Sequence, residues 1–519
     1  MQANNISNKL ITKVISLLLC AANFNADAST CGAKLDDWAL NNAGISSPKP
    51  LTLDTTSIDF KTTAPYYNEQ VRFRSDILIG DYAASQAFWD NLASIKDATE
   101  RMRQLYALHF AISPRGLYYL NAAQGWLAAK PQSTAARLFY ALTLSYGASQ
   151  ARGNQYSSRT SSRAMGLFAQ RFAESRPILE ELSKRNDIYA WAAHIGLKSA
   201  YFYAGESDKA WASQEYLINQ APQYGWSYFW ATEYTEPQWA SSTESTKRLN
   251  QLTALASKHK LNELDAKVLS QNVDYVRKNT AQNSIPQSVR PYWQTRTTEA
   301  PHLFNILKWL TYEVSMQNWE AVDRLATQAI ALNPYQTYSF YQRSIARKET
   351  GNFEGALKDT LPAAILGNDD AMSNLIQGYI RGTMGFKPGN YSQMMTHCKM
   401  GAALGLPSAA NCMGSAYSEA IANTPRDHME STAWHLLAAR GGFSNSQHDF
   451  AITLTKLKTD QNAQNVSQFW MREAAQQGHI YAKNKASLEK PLPSNYDWKC
   501  VLTESSTVIG RSLADSIKK

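Results

Sequence analysis

The residues that most often carry out catalysis are scattered along this 519-residue sequence. There is no His-Glu-x-x-His zinc helix, no Gly-x-Ser-x-Gly hydrolase turn and no Gly-x-x-x-x-Gly-Lys phosphate loop. His428 and His435 are seven residues apart, whereas two metal ligands on one helix are usually three or four apart, and His448 completes no known ligand set. The sequence therefore predicts no catalytic residues, no metal site and no cofactor.

Aromatic residues are a better indication of a functional surface. Seven of them lie close together in the chain: Tyr224, Trp226, Tyr228, Phe229, Trp230, Tyr234 and Trp239. A second group, Tyr292 and Trp293, lies near Arg290 and Arg296. Aromatic side chains and arginine are enriched at binding hot spots, but aromatic rings also fill protein cores.

These two groups allow three interpretations. They form a seam that packs two helical regions together, a surface that binds a partner, or a groove that stacks on glycans. The candidate partner-binding residues are Tyr224, Trp226, Tyr228, Trp230, Trp239, Arg290, Tyr292 and Trp293.

A repeated pattern of small residues indicates the elements that position these side chains. The four copies are Ala363-Ala364, Gly367 and Ala371; Gly401-Ala402, Gly405 and Ala409; Ala438-Ala439, Gly442 and Ser446; and Ala474-Ala475, Gly478 and Ala482. Their starts are 38, 37 and 36 residues apart, a period typical of stacked repeats. Small residues let two helices approach closely, and glycine ends a helix in the left-handed conformation. Each copy is therefore predicted to be a helical hairpin.

This pattern closely resembles the Sel-one-like repeat, a relative of the tetratricopeptide repeat. Asn318-Trp319-Glu320-Ala321 and Asn352-Phe353-Glu354-Gly355-Ala356 are 34 residues apart, which is the tetratricopeptide period. The resemblance implies an all-α fold. More specifically, it implies an α/α solenoid, a right-handed superhelix of helix-turn-helix repeats, in two helical blocks.

The region ahead of the repeats resembles a bacterial domain of unknown function that often precedes them. The resemblance rests on Leu78-Ile79-Gly80-Asp81-Tyr82, on Trp126-Leu127-Ala128-Ala129 with Pro131 and Ser133, and on Gln150-Ala151-Arg152-Gly153. That family has no assigned chemistry, so the resemblance implies none here.

Cys398 and Cys412 lie seven residues on either side of Gly405, the predicted turn of one hairpin. Antiparallel helices bring such positions opposite each other, as a disulfide requires. By subtraction, Cys31 and Cys500 form the other candidate pair, which would tie the two ends of the chain together. The alternative is that some of the four are buried apolar thiols.

The first 28 residues have the features of an export signal. Lys9 and Lys13 precede an apolar stretch from Val14 to Phe24, and Ala26-Asp27-Ala28 is a small-x-small cleavage site. We expect cleavage after Ala28 and a periplasmic mature chain whose formal charge falls from +9 to about +8. A lipoprotein modified at Cys20 is disfavoured because the preceding Leu is too large.

The predicted organisation has six parts. They are a signal peptide (1–28), a loosely structured lead-in (29–70), an N-terminal helical domain (71–265), a joint (266–300), tetratricopeptide and Sel-one-like repeats (301–485), and a C-terminal cap or tail (486–519). Basic residues form no run of five or more, so no nucleic-acid partner is expected. No other window reaches the ~18 apolar residues of a membrane span, so no transmembrane segment is expected after signal removal.

These features predict a non-catalytic exported scaffold or adaptor that mediates protein–protein interactions in the bacterial cell envelope. The family resemblance implies assembly or regulation of complexes and, for exported members, an accessory role in a secretion machine such as type VI. The expected partners are other envelope proteins, including membrane components of such a machine. The alternatives are a secreted effector that engages host proteins and a protein that binds or acts on peptidoglycan.

Overall fold

The computed structural model describes residues 45, 47–51, 64–152, 162–236, 240–282 and 289–486. The predicted signal peptide, most of the lead-in, Cys31, Trp239, Cys500 and the predicted tail beyond residue 486 lie outside these ranges. Within them the chain is α-helical with short 3-10 turns and no β-strand, which confirms the predicted all-α class.

The helices before residue 300 are α1 (Glu69–Ile79), α2 (Tyr82–Ser94), α3 (Ala98–Ile112), α4 (Leu120–Ala129), α5 (Thr134–Arg152), α6 (Ser162–Leu182), α7 (Ile188–Tyr203), α8 (Ser207–Gln220), α9 (Gly225–Glu233), α10 (Ser242–Lys258), α11 (Glu263–Gln282) and α12 (Val289–Glu299). A 3-10 segment, Ser113–Tyr119, joins α3 to α4. The predicted joint therefore consists largely of α11 and α12.

The helices after residue 300 are α13 (Leu303–Ser315), α14 (Trp319–Leu332), α15 (Thr337–Glu349), α16 (Phe353–Ile365), α17 (Asp369–Arg381), α18 (Tyr391–Ala403), α19 (Pro407–Glu419), α20 (His428–Arg440), α21 (Ser444–Leu457), α22 (Gln461–Gln476) and α23 (Ile480–Ala486). Consecutive helices pack against each other along this series. The arrangement is the predicted α/α solenoid.

The four predicted hairpins are present, and each turn uses its glycine as expected. Gly367, Gly405, Gly442 and Gly478 all have positive φ angles, between 77° and 113°. Gly401 of α18 packs so closely on α19 that a Cβ on it would lie 2.6 Å from the Cβ of Ala409. In this hairpin the small residues of the repeat pattern therefore allow a close approach of the two helices.

The two predicted helical blocks share one apolar core. A single cluster of buried side chains contains Phe73, Trp89 and Phe139 from the first helices together with Met372 and Leu404 from the repeats. Burial of apolar surface on this scale is the main stabilising term in folding. The N-terminal block and the repeats are consequently packed together and not merely joined by a connector.

Polar contacts from the N-terminal block reach the turns of successive repeat hairpins. Arg74 Nη2 donates to the carbonyl oxygen of Ile365 at 2.7 Å, and Arg115 Nη2 donates to that of Gly367. Tyr118 Oη donates to the carbonyl oxygen of Ala402 at 3.1 Å. The edge of the solenoid that carries these turns is therefore covered by the protein's own N-terminal helices.

Candidate partner-binding surface

The predicted aromatic residues divide into buried and partly exposed groups. The buried rings are Tyr224, Tyr228 and Trp293. The partly exposed ones are Trp226, Trp230 and Tyr292. The buried rings serve as core in this conformation, whereas the partly exposed rings still offer surface to a partner.

Helix α9 places Trp226 and Trp230 one turn apart, so both indoles lie on the same face. Their ring centroids are 5.3 Å apart. Phe110, at the end of α3, continues the row at 5.1 Å from Trp230, and its side chain is 50% exposed. We call Phe110, Trp230 and Trp226 the aromatic strip.

The aromatic strip is supported from behind by buried rings. Tyr106 lies one helical turn before Phe110 and contacts Trp230 with a centroid distance of 4.2 Å. Trp226 contacts Phe304 of α13 at 5.6 Å. Because α3, α9 and α13 all contribute to this packing, the strip is held on a rigid frame, which reduces the entropy lost when a partner binds.

Lys198 of α7 lies under the aromatic strip and is buried. Its ammonium nitrogen donates to Tyr106 Oη at 2.9 Å and to Gln214 Oε1 at 3.2 Å. It also lies 5.6 Å from the centroid of the Trp230 ring, within the range of a cation–π contact. Burial lowers the pKa of Lys198 to about 7, and the negative charge of Glu233 opposes the shift.

Charged pairs lie beside the strip. Lys308 Nζ pairs with Glu233 Oε1 at 2.8 Å and lies 5.3 Å from the centroid of Phe304. On α3, Arg103 pairs with Glu100 at 2.6 Å, and the two side chains are more than a third exposed. An apolar surface with a charged rim is the usual anatomy of a protein-binding site.

The second predicted group packs α12 against neighbouring helices, and the Arg290 side chain stays 47% exposed. Nε and Nη2 of Arg290 donate to the two carboxylate oxygens of Glu313, each at 2.7 Å, and the Glu313 side chain is buried. Arg296 lies over the rings of Tyr292 and Trp293 at 5.1 and 4.9 Å from their centroids. These residues tie α12 to α11 and α13, and Arg290 is already occupied by a carboxylate.

The structure contains the predicted disulfide between Cys398 of α18 and Cys412 of α19. The two Cα atoms are 5.9 Å apart, and both side chains are buried. The bond closes the hairpin whose turn is Gly405.

Phe110, Tyr106 and Lys198 belong to this site, although no pattern in the sequence points to them. Phe110 and Trp230 are 120 positions apart, so no local spacing connects them. Only the packing of α3 against α9 shows that they share a surface.

Among the described residues, no group of three or more His, Cys, Asp or Glu side chains is arranged to hold a metal ion. In the same ranges no helix has the length and apolar character needed to cross a membrane.

No protein-family model and no curated protein sequence matches this chain. Several solved helical-repeat structures resemble it. A Sel1 repeat protein from Oxalobacter formigenes is 15% identical over 60% of this chain and 90% of its own, with a TM-score of 0.37. A protective antigen of uropathogenic Escherichia coli that displays an SLR fold is 13% identical over 85% and 94%, with a TM-score of 0.34.

The APC/C hetero-tetramer Cut9–Hcn1 is a third similar structure. It is 12% identical over 88% of this chain and 96% of the matched chain, with a TM-score of 0.27. At these identities and scores, the chain's own helices and glycine turns define it as a protein of stacked helical hairpins.

Proposed function

We propose that this protein is an exported scaffold without catalytic activity and that it holds another envelope protein against the aromatic strip. The half-exposed ring of Phe110 carries this proposal, because it extends a row of partly exposed tryptophans on a rigid frame. Contiguous exposed aromatic surface with a polar rim marks interaction sites more often than chance exposure does.

The edge of the solenoid that carries the hairpin turns is less suited to a partner. There Arg74, Arg115 and Tyr118 already donate hydrogen bonds to backbone carbonyl oxygens. The aromatic strip, in contrast, lies on α3 and α9 and keeps exposed side-chain surface. The strip is therefore the better candidate for a contact with a separate protein.

The proposed location is the periplasm, on the basis of the pattern in residues 1–28, and the proposed role is an accessory of a secretion machine such as type VI. Mass spectrometry of the mature chain tests export, because cleavage after Ala28 leaves Ser29 at the N-terminus. Recovery of the chain from the culture medium instead of the periplasm would favour the secreted-effector alternative.

The binding proposal is tested by crosslinking the full chain in cells and comparing variants. Phe110→Ser removes half-exposed apolar surface and should abolish recovery of an envelope protein that the wild type captures. Tyr391→Ser is the matched control, because Tyr391 is exposed to a similar extent and lies outside the strip. Unchanged recovery with Phe110→Ser and with Trp230→Ala would refute the strip as the binding surface. Recovery of glycan strands alone would favour peptidoglycan binding.

A further inference from the structure

A short segment from the start of the described chain lies between the first helices and the third repeat hairpin. Ile45 is fully buried in an apolar cluster with Leu167 of α6 and with Ala433 and Leu436 of α20. Six residues later, Leu51 packs against the main core. We call Ile45 and residues 47–51 the strap.

Two hydrogen bonds hold the strap between these apolar ends. Asn121 Nδ2 of α4 donates to Ser47 Oγ at 2.7 Å. The backbone N–H of Lys49 donates to Glu430 Oε1 of α20 at 2.9 Å. Pro48 and Pro50 have no N–H group, so Lys49 supplies the one backbone donor of the Pro-Lys-Pro stretch.

The two sides of this seam are joined by a hydrogen bond that does not involve the strap. Arg440 Nη1 of α20 donates to Asn121 Oδ1 of α4 at 2.8 Å, which joins the two sides. Trp434 Nε1 donates to the same Glu430 oxygen at 3.0 Å. Glu430 is buried, and the bond from Trp434 holds its carboxylate in place. The same oxygen can then accept the backbone N–H of the strap as a second donor.

The strap itself has the character of a bound peptide. Only its two ends are apolar anchors, whereas the side chains of Ser47, Lys49 and Pro50 are exposed. Prolines favour the extended polyproline conformation, which loses little entropy on binding. The segment thus shows what kind of extended chain this seam accommodates.

We propose that this seam is a peptide-binding groove and that the strap is a built-in competitor for it. The ligand is an extended, proline-containing segment of a partner protein. It carries aliphatic side chains six residues apart and a backbone N–H between its prolines. This site is separate from the aromatic strip, so it stands or falls independently of the proposed function.

The test is the binding of a fluorescent peptide with the sequence of residues 43–53 to the full chain. Ile45→Asp disfavours the strap's burial, because an unpaired carboxylate is costly in an apolar site. The peptide should bind this variant at least about tenfold more tightly than the wild type, whose groove is already occupied. Lys49→Ala is the control, because it alters only an exposed side chain and should bind like the wild type.

A second peptide separates specific from general apolar binding. Lys49→Pro in the peptide removes the N–H that Glu430 accepts and should weaken binding about tenfold. If the Ile45→Asp chain does not fold, Lys49→Pro in the full chain is the second variant: it leaves the groove unaltered, removes the strap's hydrogen bond to Glu430, and should raise peptide affinity in the same direction, by up to about tenfold. Equal binding to wild type and variant, or equal binding of both peptides, would overturn the proposal. Phe110→Ser should leave peptide binding unchanged, which distinguishes this site from the aromatic strip.

Discussion

The hydroxyl end of the Tyr119 ring lies against Gly405, the glycine that turns α18 into α19. A Cβ on Gly405 would lie 2.7 Å from Cζ of Tyr119, and the backbone there has a φ of +77°. Gly405 is therefore needed both for its left-handed conformation and for the space that it leaves. Gly478, at the corresponding turn of the last hairpin, has a φ of +95° and nothing within 4 Å of a Cβ.

Comparing alanine substitutions at these two glycines separates the two requirements. Gly478→Ala should cost about 1 kcal/mol, the usual cost of a left-handed non-glycine residue. Gly405→Ala should cost about 1–3 kcal/mol more, because the added methyl group overpacks against Tyr119. Chemical denaturation of both variants measures the difference. Equal costs would show that Tyr119 does not press on this turn in solution.

Gly405 and Tyr119 also show which features of the fold could be predicted from the sequence. The turn at Gly405 could be predicted because its conformation and its small neighbours are local and repeat along the chain. The contact with Tyr119 could not be predicted, because it joins residues 286 positions apart in different blocks. Gly147 illustrates the same limit: it lies inside α5, where a Cβ would be 2.7 Å from Cγ of Leu117.

In the candidate site, too, the features that are local in the sequence could be predicted and the contacts between distant residues could not. Sequence composition identified Trp226 and Trp230 on α9, since clustered aromatics stand out in a local window. It could not distinguish them from Tyr228, because burial depends on which helices pack on each face of α9. Phe110 entered the site only through the packing of α3.

The disulfide between Cys398 and Cys412 should stabilise the second of the four repeat hairpins, which turns at Gly405. The two residues are 14 positions apart, and closing a loop of about this length contributes about 3 kcal/mol by restricting the unfolded chain. Replacing both cysteines with alanine should lower the free energy of unfolding by about that amount. Peptide mapping without reduction should recover the two cysteines as one linked peptide. Free thiols at both positions in the native protein would contradict the bond.

Lys198 should make stability depend on pH in the alkaline range. Its pKa falls from an ordinary value of 10.5 to about 7 in the folded chain. Between these values the unfolded chain binds the proton and the folded chain does not, so stability rises with pH by up to about 1.4 kcal/mol per unit. Lys198→Met should lose this rise between pH 7 and 9.

Urea denaturation at pH 7, 8 and 9 compares wild type and Lys198→Met. Lys130→Met is the control, because Lys130 is exposed at the end of α4. The free energy of unfolding of the wild type, measured relative to that of Lys198→Met, should rise with pH. The control Lys130→Met should show the same pH dependence as the wild type. A constant difference for Lys198→Met would mean that the amine is charged in the folded protein at pH 7–9.

His435 should produce the corresponding effect in acid. It is buried on α20 beside Gly414, where burial lowers its pKa from 6.5 to about 4 and the charge of Asp449 partly opposes the shift. Between these values the unfolded chain takes up the proton first, so stability falls as the pH drops from 6.5 towards 4, by up to about 1.4 kcal/mol per unit. His435→Gln should reduce this slope by that amount, and His428→Gln, at an exposed position on the same helix, is the control. Denaturation curves between pH 4 and 7 measure both slopes, and parallel curves for wild type and His435→Gln would show that His435 takes up its proton in the folded chain as readily as in the unfolded one.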